Sequence, residues 1–440
     1  MQRGSSPLPA TRAVFSLLLT IAGIVEVPFF LRKNGAEIFA LIYIYRKTAV
    51  IMPPSNIFIS AGEASGERYG ALLINAVRAR MPEAKFFGLG GKGMEASGCE
   101  RVVRAEDIAV MGITEVIRHM PRIYGEYRRL LRSIRARRPD VAVLIDFPDV
   151  NFRLARELKK LGVPVIYFVS PQLWAWKQRR IRWVRDRVAK MLVIFPFEER
   201  YYRERGVDAE FVGHPLAELP QPAISRAEFA RKYGLNPSKQ WVGLLPGSRA
   251  RELRLNLPEM IRAADRLGPT YEYLLPVAAT LDPAWVLQLV GNKVVTVVDD
   301  ARAVLFHARA SVVASGTATV EAALIGNPFV AVYRLSAMSY AVARRLVRLP
   351  HVAMVNLIAG KRVVPELIQK DLTADKIVGA LAPLLKDGSA RTAMMEELAE
   401  VRRLLEVQGN KGTAVERAAD WVVHFLENSE AAELGSGGSK

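Results

Sequence analysis

A chain of 440 residues is too long for one ordinary hydrophobic core, which suggests two domains. Half of the residues are hydrophobic and 24% are charged, so the composition excludes a disordered or fibrous protein. The 62 Lys and Arg against 44 Asp and Glu give a net charge of +18. This charge favours partners that carry phosphate, such as nucleotides, nucleic acids or anionic membranes. A generally Arg-rich proteome explains the excess of basic residues equally well.

The N-terminal residues 1–51 admit three interpretations. The apolar run Ala13–Val25 is short for a membrane helix, and Glu26 and Pro28 follow it. Basic residues precede the run, which leaves a signal peptide open. We favour a third interpretation, in which Met52 is the true start and the preceding residues lie outside the native fold, because the first clear strand pattern follows Met52 directly.

From Ile57 onward, short apolar runs alternate with segments of helical period, which predicts parallel sheets covered by helices. Residues 215–222 contain three prolines and no strong period, which is typical of a linker, and the alternation restarts after them. The pattern therefore predicts an α/β protein of two doubly wound, Rossmann-like domains that face a cleft, the arrangement called GT-B. The predicted segments are a first domain at 52–214, the linker at 215–222, a second domain at 223–393, C-terminal helices at 394–428 and a flexible tail at 429–440.

Predicted strands occur in both domains, and ligands of such folds bind beyond the carboxyl ends of the strands. In the first domain the strands are Ile57–Ser60, Lys85–Leu89, Val141–Ile145, Val163–Val169 and Met191–Phe195. In the second domain they are Trp241–Leu245, Tyr271–Leu275, Lys293–Val298, Ser311–Ala314 and Phe329–Tyr333. The loops that follow these strands are therefore the places to look for chemistry.

The loop after the first predicted strand consists mostly of small residues and includes Glu63 and Ser65. Small residues let the backbone approach a ligand, and the N–H groups that begin the following helix favour an anion or a sugar hydroxyl. An ordinary tight turn between a strand and a helix explains the same residues equally well.

The predicted strand Val141–Ile145 ends at Asp146. A carboxylate at the end of a strand that faces the cleft is placed to accept a proton from a substrate hydroxyl. Pro148 fixes the turn that follows. Asp149 and Asn151 have a simpler explanation, because either of them suits the cap of the next helix. Asp146 is therefore the better catalytic candidate.

Two tryptophans, Trp174 and Trp176, lie in the loop after another predicted strand and precede a basic run. Such residues could stack on bases, bind the face of a sugar or sit at a membrane interface. Core packing beside a solvated helix explains part of them.

In the second domain, a glycine turn with Ser248 and Arg249 follows a predicted strand directly. Arg249 could neutralise a diphosphate leaving group, which is the work that a metal ion does elsewhere. The chain contains no Asp-x-Asp pair to hold a divalent metal, so neither a metal nor another cofactor is expected.

A second phosphate-binding candidate is the strand, small-residue turn and helix start at 314–321. Backbone N–H groups around Ser315, Gly316 and Thr317 could bind phosphate at the positive end of the helix. Glu321 could accept hydrogen bonds from ribose hydroxyls. Together with Arg249, this turn favours a nucleotide diphosphate site.

The single cysteine excludes an intrachain disulfide and a metal site built on cysteines. The histidines lack metal-ligand spacing, and we interpret them as structural. His214 is the exception that we keep as a site candidate, because it adjoins the linker. The histidines are His119, His214, His307, His351 and His424.

Between Ile117 and Ile134, apolar residues recur at three- and four-residue steps among several arginines. A basic amphipathic helix of this kind could lie on an anionic bilayer. A helix that packs on the core with a charged outer face is the stronger alternative, although the apolar residues 110–113 before it favour membrane contact.

The loops together resemble lipid-A-disaccharide synthase, a glycosyltransferase family of lipid A biosynthesis, and they occur in family order over almost all of residues 55–410. The segments that carry the resemblance are GEASG (62–66), AVMGITEV (109–116), DFPDVNF (146–152), SPQLWAWK (170–177), FVGHP (211–215), LLPGSR (244–249), ASGTATVE (314–321) and NLIAG (356–360). The resemblance implies a GT-B fold and an inverting transfer from UDP-2,3-diacylglucosamine to 2,3-diacylglucosamine 1-phosphate (lipid X), with release of UDP. It also implies a peripheral place on the cytoplasmic face of the inner membrane.

Carried over by position, Asp146 matches the family's general base, Arg249 and Asn356 match positions of donor handling, and the turn at 315–321 matches the nucleotide site. The family commonly has Ala where Phe147 stands here, a change that should leave Asp146 undisturbed. Residues 1–51 have no counterpart in the family pattern.

Two alternative functions remain at this stage. The nearest is another GT-B enzyme, either a transferase that uses UDP-N-acetylglucosamine or a UDP-sugar epimerase. The second is a basic protein without catalysis that binds membrane or nucleic acid, which leaves the loops at the strand ends unexplained, so no nucleic-acid partner is expected. A homodimer that exchanges its C-terminal helices over 394–426 is also left open.

Overall fold

The computed structural model of the chain describes residues 55–108, 113–278, 280–291, 294–336, 340–341, 349–407, 409 and 412–436. These residues form two parallel β-sheets, one after the other along the chain, and each is flanked by helices. The predicted fold class of two Rossmann-like domains is thereby confirmed. Residues 1–51, with the proposed start at Met52, and the apolar loop at 110–112 lie outside the described residues.

The first sheet has seven parallel strands in the order β3-β2-β1-β4-β5-β6-β7. Its strands are β1 (Asn56–Ala61), β2 (Lys85–Gly90), β3 (Cys99–Arg104), β4 (Val141–Ile145), β5 (Val165–Phe168), β6 (Lys190–Val193) and β7 (Ala209–Phe211). The described helices of this domain are α1 (Ala64–Arg80), α2 (Lys92–Ala96), α3 (Ala105–Ile108), α4 (Ile113–Arg137), α5 (Pro148–Lys160), α6 (Ile181–Arg187) and α7 (Pro196–Arg203). The strand order reverses between β1 and β4, which opens a crevice above the carboxyl ends of these two strands.

The second sheet has six parallel strands in the order β10-β9-β8-β11-β12-β13. They are β8 (Gln240–Leu245), β9 (Tyr271–Pro276), β10 (Val295–Val298), β11 (Ala310–Ala314), β12 (Phe329–Tyr333) and β13 (Glu366–Ile368). The described helices are α8 (Arg226–Tyr233), α9 (Ala250–Leu267), α10 (Pro283–Val290), α11 (Ala301–His307), α12 (Thr317–Ile325), α13 (Met354–Ala359), α14 (Ala374–Leu385) and α15 (Ser389–Leu405). Here the order reverses between β8 and β11.

The central strands are buried on both faces, which explains why the sequence shows them as continuous apolar runs rather than alternating ones. All five residues of β4 have no exposed surface. The strands that the sequence analysis missed lie farther out in the sheets. Strand β3 carries charged residues, while β7 and β13 have only three residues each, so none of them has a long apolar run.

Helix α4 packs against the first sheet through its C-terminal half. Leu130 and Ile134 are fully buried in that core, and Tyr127 is partly buried against it. Tyr124, nearer the start of the helix, is 59% exposed. The core-packing interpretation therefore holds for the second half of α4, while the side chains of 113–120 lie outside the description.

A final helix, α16 (Ala414–Ser436), returns from the second domain and packs against α1 of the first. Arg417 in α16 is buried and donates from Nε and Nη2 to the carbonyl of Val212, at 2.8 and 2.5 Å. The sequence analysis predicted a flexible tail from residue 429, but the helix continues to Ser436. The Ala and Glu residues of this stretch are strong helix formers, which explains the continuation. No helix within the described parts of the chain is both long enough and apolar enough to span a membrane.

Candidate active site

The predicted catalytic and diphosphate-binding residues follow the two central strands at which the strand order reverses. Asp146 directly follows β4 in the first domain, and Arg249 follows β8 in the second. Glu63, which precedes α1, links them: its carboxylate lies 3.5 Å from the Arg249 guanidinium and acts electrostatically on Asp146. The structure therefore brings three loops together: the loop that follows β4 with Asp146 (the acid loop), the loop before α1 with Glu63, and the turn after β8 with Arg249 (the arginine turn). Their side chains form one charged cluster that spans the two domains.

The backbone at Asp146 is in the left-handed region, with φ of 45°, and Phe147 follows with φ of 47°. A residue with a side chain rarely adopts this conformation, which costs about 1–3 kcal/mol and clusters at functional sites. Two donors hold the Asp146 carbonyl in place: the Tyr167 hydroxyl at 2.6 Å and the Asn151 amide at 2.7 Å. These two hydrogen bonds hold the backbone of the turn that positions the Asp146 carboxylate.

Asn151 has no exposed surface and uses its whole amide inside the protein. Its Nδ2 donates to the carbonyls of Ile145 and Asp146, and its Oδ1 accepts from the Ser60 hydroxyl at 2.7 Å. Ser60 belongs to β1, so this amide connects β1 with the end of β4, the two strands between which the strand order reverses. The sequence interpretation that Asp149 or Asn151 caps this helix is wrong for both residues, because the N-cap position is Phe147 and no side chain caps the helix.

The surroundings of Asp146 favour the protonated form of its carboxyl group. Burial, followed by the negative charge of Glu63, raises the pKa of Asp146 to about 7, while the Phe147 backbone N–H and the Arg249 charge oppose the rise. A carboxylate with a pKa near neutrality is well matched to taking a proton from a hydroxyl.

The arginine turn is held by Glu252 in the first turn of α9. The backbone N–H groups of Ser248 and Arg249 donate to one oxygen of Glu252, at 3.0 and 3.3 Å. The Arg249 side chain is 60% exposed and lies between Glu252 and Glu63, at 3.6 and 3.5 Å. These partners are carboxylates, so the guanidinium already occupies an anion-binding position.

The turn at 315–317 lies at the carboxyl end of β11, beside β8 in the second sheet. Gly316 adopts a φ of 152° at the N-cap of α12, and no side chain caps this helix. Ser315 donates to the carbonyl of Val352 at 2.9 Å, which leaves Gly316 and Thr317 exposed at the turn. The N–H groups that begin α12 are thus accessible to an anion.

Glu321 lies one turn into α12 and is mostly buried. Arg302 of the same domain approaches it at 3.8 Å, and Arg68 of α1 approaches it from the first domain at 3.9 Å. Burial raises the pKa of Glu321, while both arginines oppose this rise. Two ion pairs at the start of α1 therefore join the domains, one through Glu63 just before the helix and one through Arg68 within it.

Asn356 is placed differently from the other predicted donor residues. It has no exposed surface, and its Nδ2 donates to the Val364 carbonyl and to Glu366. Its Oδ1 accepts the N–H groups of Val363 and Val364. The amide has no free position for a ligand, so Asn356 can influence the site only by positioning the segment around α13.

The remaining predicted residues have other surroundings. Asp149 is exposed and pairs with Arg180 at 2.9 Å, while Ser65 lies partly buried in the first turn of α1. His214 is buried, and burial lowers its pKa to about 3. Its Nδ1 accepts the N–H of Leu216 at 3.1 Å, so this neutral imidazole holds the start of the linker.

Sequence reasoning missed Tyr167 and Arg68. Tyr167 is an ordinary apolar position of β5 in the sequence. Its hydroxyl reaches the Asp146 carbonyl only because β5 lies beside β4 in the sheet. Arg68 is one arginine among many on an exposed helix face. Neither position carries a sequence signal, because both roles depend on contacts between distant segments. Within the described parts of the chain, no three His, Cys, Asp or Glu side chains gather in a way that could hold a metal ion.

Solved structures share this architecture. The glycotransferase of kitacinnamycin has a TM-score of 0.58 at 17% identity, over 85% of this chain and 100% of its own. The UDP-GlcNAc 2-epimerase from Neisseria meningitidis, solved with UDP-GlcNAc, has a TM-score of 0.52 at 11% identity, over 86% of this chain and 100% of its own. At these identities the likeness shows the fold alone, and that fold is GT-B.

The family is shown by sequence. Residues 57–418 match the family described as lipid-A-disaccharide synthetase. A lipid-A-disaccharide synthase of Acidobacterium capsulatum is 62% identical over 82% of this chain and 94% of its own length. Those of Koribacter versatilis and Myxococcus xanthus are 53% and 43% identical, each over 85% of this chain and 99% and 98% of their own lengths. The chain belongs to the lipid-A-disaccharide synthetase family, and it is a glycosyltransferase of lipid A biosynthesis.

Proposed function

We propose that the enzyme transfers 2,3-diacylglucosamine from UDP to the 6-hydroxyl of 2,3-diacylglucosamine 1-phosphate, which gives the β-1,6-linked lipid A disaccharide 1-phosphate and UDP. The observation that carries the assignment of roles is the charged cluster of Asp146, Glu63 and Arg249. It supplies a carboxylate that can accept a proton in the first domain and a cation that can receive a diphosphate in the second.

The transfer is a single displacement at the anomeric carbon of the donor. The acceptor oxygen attacks that carbon while its proton passes to Asp146, and the bond from the carbon to the UDP oxygen breaks. Attack from the face opposite to the leaving group inverts the configuration. Asp146 must be ionised to accept the proton, and its pKa near neutrality supports this role.

Negative charge builds on the departing UDP, and Arg249 is the residue that would stabilise it. In the structure this guanidinium is shared between Glu63 and Glu252. A diphosphate carries more charge than either carboxylate, so it would replace Glu63 as the partner of Arg249. The open N-terminus of α12 at Gly316 and Thr317 would bind the phosphates from the other side, and Ser248 and Ser315 border this space.

Other predicted site residues take supporting roles in this proposal. Glu321 would accept ribose hydroxyls at the cost of its contacts with Arg68 and Arg302. Asn356 is a positioning residue, since its amide holds α13 and the strand that follows. Ser65, in the first turn of α1, remains a candidate for contact with a sugar hydroxyl.

The partners that follow from this function are the two acylated sugars and the surface of an anionic bilayer. We place the enzyme peripherally on the cytoplasmic face of the inner membrane, with the first half of α4 as the contact. The exposed Tyr124 and the net charge of +18 support such a surface. A homodimer that exchanges C-terminal helices would replace the contact of α16 with α1 by the same contact between two chains.

Mixing the purified enzyme with both acylated precursors tests the proposal. We expect UDP release that requires both lipids, together with a disaccharide product found by mass spectrometry. An enzyme that instead interconverts UDP-N-acetylglucosamine with an epimer, or that releases UDP equally well without lipid X, would contradict the proposal.

A further inference from the structure

A cavity of about 340 Å³ lies between the two domains, apart from the charged cluster around Asp146. The first domain contributes the loop after β5 and helix α7 to its wall, and the second domain contributes the segment around α13. Its aromatic and leucine lining residues are Trp174, Phe197, Tyr201, Leu349 and Leu357. The proposed mechanism uses none of them.

The one polar group of Trp174, which lines this cavity, is already hydrogen-bonded within the first domain. The indole N–H donates to Glu198 at 2.9 Å, and the Ser170 hydroxyl donates to the same carboxylate oxygen at 2.5 Å. Glu198 is fully buried and accepts the Phe195 N–H as well. Phe197 packs edge-on against the Trp174 ring at 5.0 Å. The aromatic rings thus offer carbon surface to the cavity, together with the leucines of the second domain.

The charged residues of the lining already have partners within the lining. Arg200 binds Glu204 at 2.7 Å, and the Arg205 guanidinium lies 4.0 Å from the centre of the Tyr201 ring. These side chains are at least partly exposed. The cavity lining therefore combines aromatic and leucine side chains with charged side chains that are already paired, a mixed composition that suits an amphipathic molecule.

The cavity lies on the same edge of the sheets as the proposed reaction centre. The Asp146 N–H donates to the carbonyl of Phe168, the last residue of β5, at 3.2 Å, and the loop with Trp174 starts directly after it. On the other side, Ser315 of the nucleotide turn donates to Val352, just before α13 with Leu357. The cavity is thus connected to the acid loop through one wall and to the nucleotide turn through the other.

We propose that this cavity binds one acyl chain of a substrate lipid and so sets the chain length that the enzyme prefers. The inference rests on the proposed function, because both precursors carry acyl chains that leave the bilayer when the sugars reach the reaction centre. A chain drawn out of the membrane needs cover from water, and its burial is favoured in proportion to the apolar surface that is removed from water. The volume is near the lower end of the roughly 300–1,000 Å³ of ligand pockets, which suits one chain rather than several.

The test compares substrates that differ only in acyl length, with one precursor varied at a time. Leu357→Phe fills the cavity, and Phe197→Ala enlarges it. We expect Leu357→Phe to lower the ratio of kcat/KM for long over short chains about tenfold, the scale on which an apolar pocket discriminates chain length. Phe197→Ala should raise the same ratio. Only one of the two precursors should show the effect, which identifies the lipid that is bound.

Leu287→Phe is the matched control, because Leu287 is 55% exposed on α10 and does not line the cavity. The melting temperature and the affinity for UDP are measured for every variant, so that a folding defect is recognised. Length ratios that equal the control in both cavity variants would overturn the proposal. Failure of the proposed function is a different result: the unmodified enzyme would then release no UDP with precursors of any chain length.

Discussion

The buried amide of Asn151 donates a hydrogen bond of 2.7 Å to the carbonyl of Asp146, the residue whose carboxylate we propose as the general base. The same amide accepts from Ser60 in the neighbouring strand. The position of the carboxylate therefore depends on a residue that the substrate does not touch. This arrangement separates the group that takes the proton from the groups that hold it, and variants can test the two separately.

Replacing Asp146 with Asn keeps the shape of the side chain and removes its ability to accept a proton. We expect Asp146→Asn to lower turnover by roughly a hundredfold or more and to leave UDP affinity nearly unchanged. Asp149→Asn should cost far less, because Asp149 is exposed and its partner is Arg180 at the surface. UDP release and UDP binding of both variants are the measurements. A larger loss for Asp149→Asn would place the base on the other carboxylate.

The raised pKa of Asp146 predicts a pH dependence of turnover. Since the base must be ionised, kcat/KM should rise with pH through a midpoint of about 7 and level off well above it. Glu63 contributes a like charge, so Glu63→Gln should move the midpoint of the rise to lower pH. Because Glu63 also pairs with Arg249, the position of the midpoint is the readout rather than the absolute rate. A midpoint that stays in place would show that Glu63 does not act on Asp146.

The same pKa predicts a change in stability with pH. The folded state binds the Asp146 proton more tightly than the unfolded chain, whose aspartates titrate at about 3.9. The contribution of this residue to stability is therefore full below about pH 4 and is lost as the pH rises towards 7. Asp146→Asn removes the titration. Its melting temperature relative to the unmodified enzyme should accordingly be higher at pH 8 than at pH 4.

Loss of the Asn151 amide should disturb the site from within. In Asn151→Ala the carbonyls of Ile145 and Asp146 lose a donor and Ser60 loses its acceptor, which costs about 1–3 kcal/mol of stability. We expect turnover to fall roughly tenfold, because a base that is displaced transfers a proton poorly. Asn327→Ala is the control.

Asn327 is also a buried asparagine that donates to a carbonyl, that of Ala308, but it lies in the second domain away from Asp146. Its variant should lose stability and keep its turnover, once measured at a temperature where both variants are folded. An equal loss of turnover in the two variants would reduce the role of Asn151 to general stability.

Gly62 and Phe147 are matched to one another. A Cβ at Gly62 would lie 2.3 Å from Cδ1 of the Phe147 ring, so Gly62→Ala must displace this ring, which belongs to the residue directly after Asp146. We expect Gly62→Ala to lower both the melting temperature and turnover. Phe147→Ala removes the ring, and the double variant should recover most of the loss. Additive losses, measured by a double-mutant cycle, would show that the two residues are not coupled.

The fold could be predicted from the sequence because the central strands are buried on both faces and the loops at their ends carry small residues, glycine or charge. Asp146 and Arg249 follow such strands, and the rule for ligand sites in α/β sheets brings them to the same edge. What the sequence could not give is the tertiary environment of each side chain. Asn356 belongs to a family motif, yet its amide is saturated by its own loop. The short edge strands β7 and β13 were missed because their pairing depends on neighbours rather than on an apolar run.

The last prediction concerns the leaving group. If Arg249 stabilises the charge on UDP, Arg249→Ala should weaken UDP binding and lower turnover by about a hundredfold, the scale of a lost group that stabilises developing charge. Arg254→Ala is the control, because Arg254 is on the same helix α9 but stacks on Trp285 at 5.4 Å.

Turnover of the unmodified enzyme should survive excess EDTA, since the arginine does the work that a metal ion does in other transferases. An absolute need for magnesium or manganese, together with near-normal turnover of Arg249→Ala, would show that the diphosphate is neutralised by a metal instead.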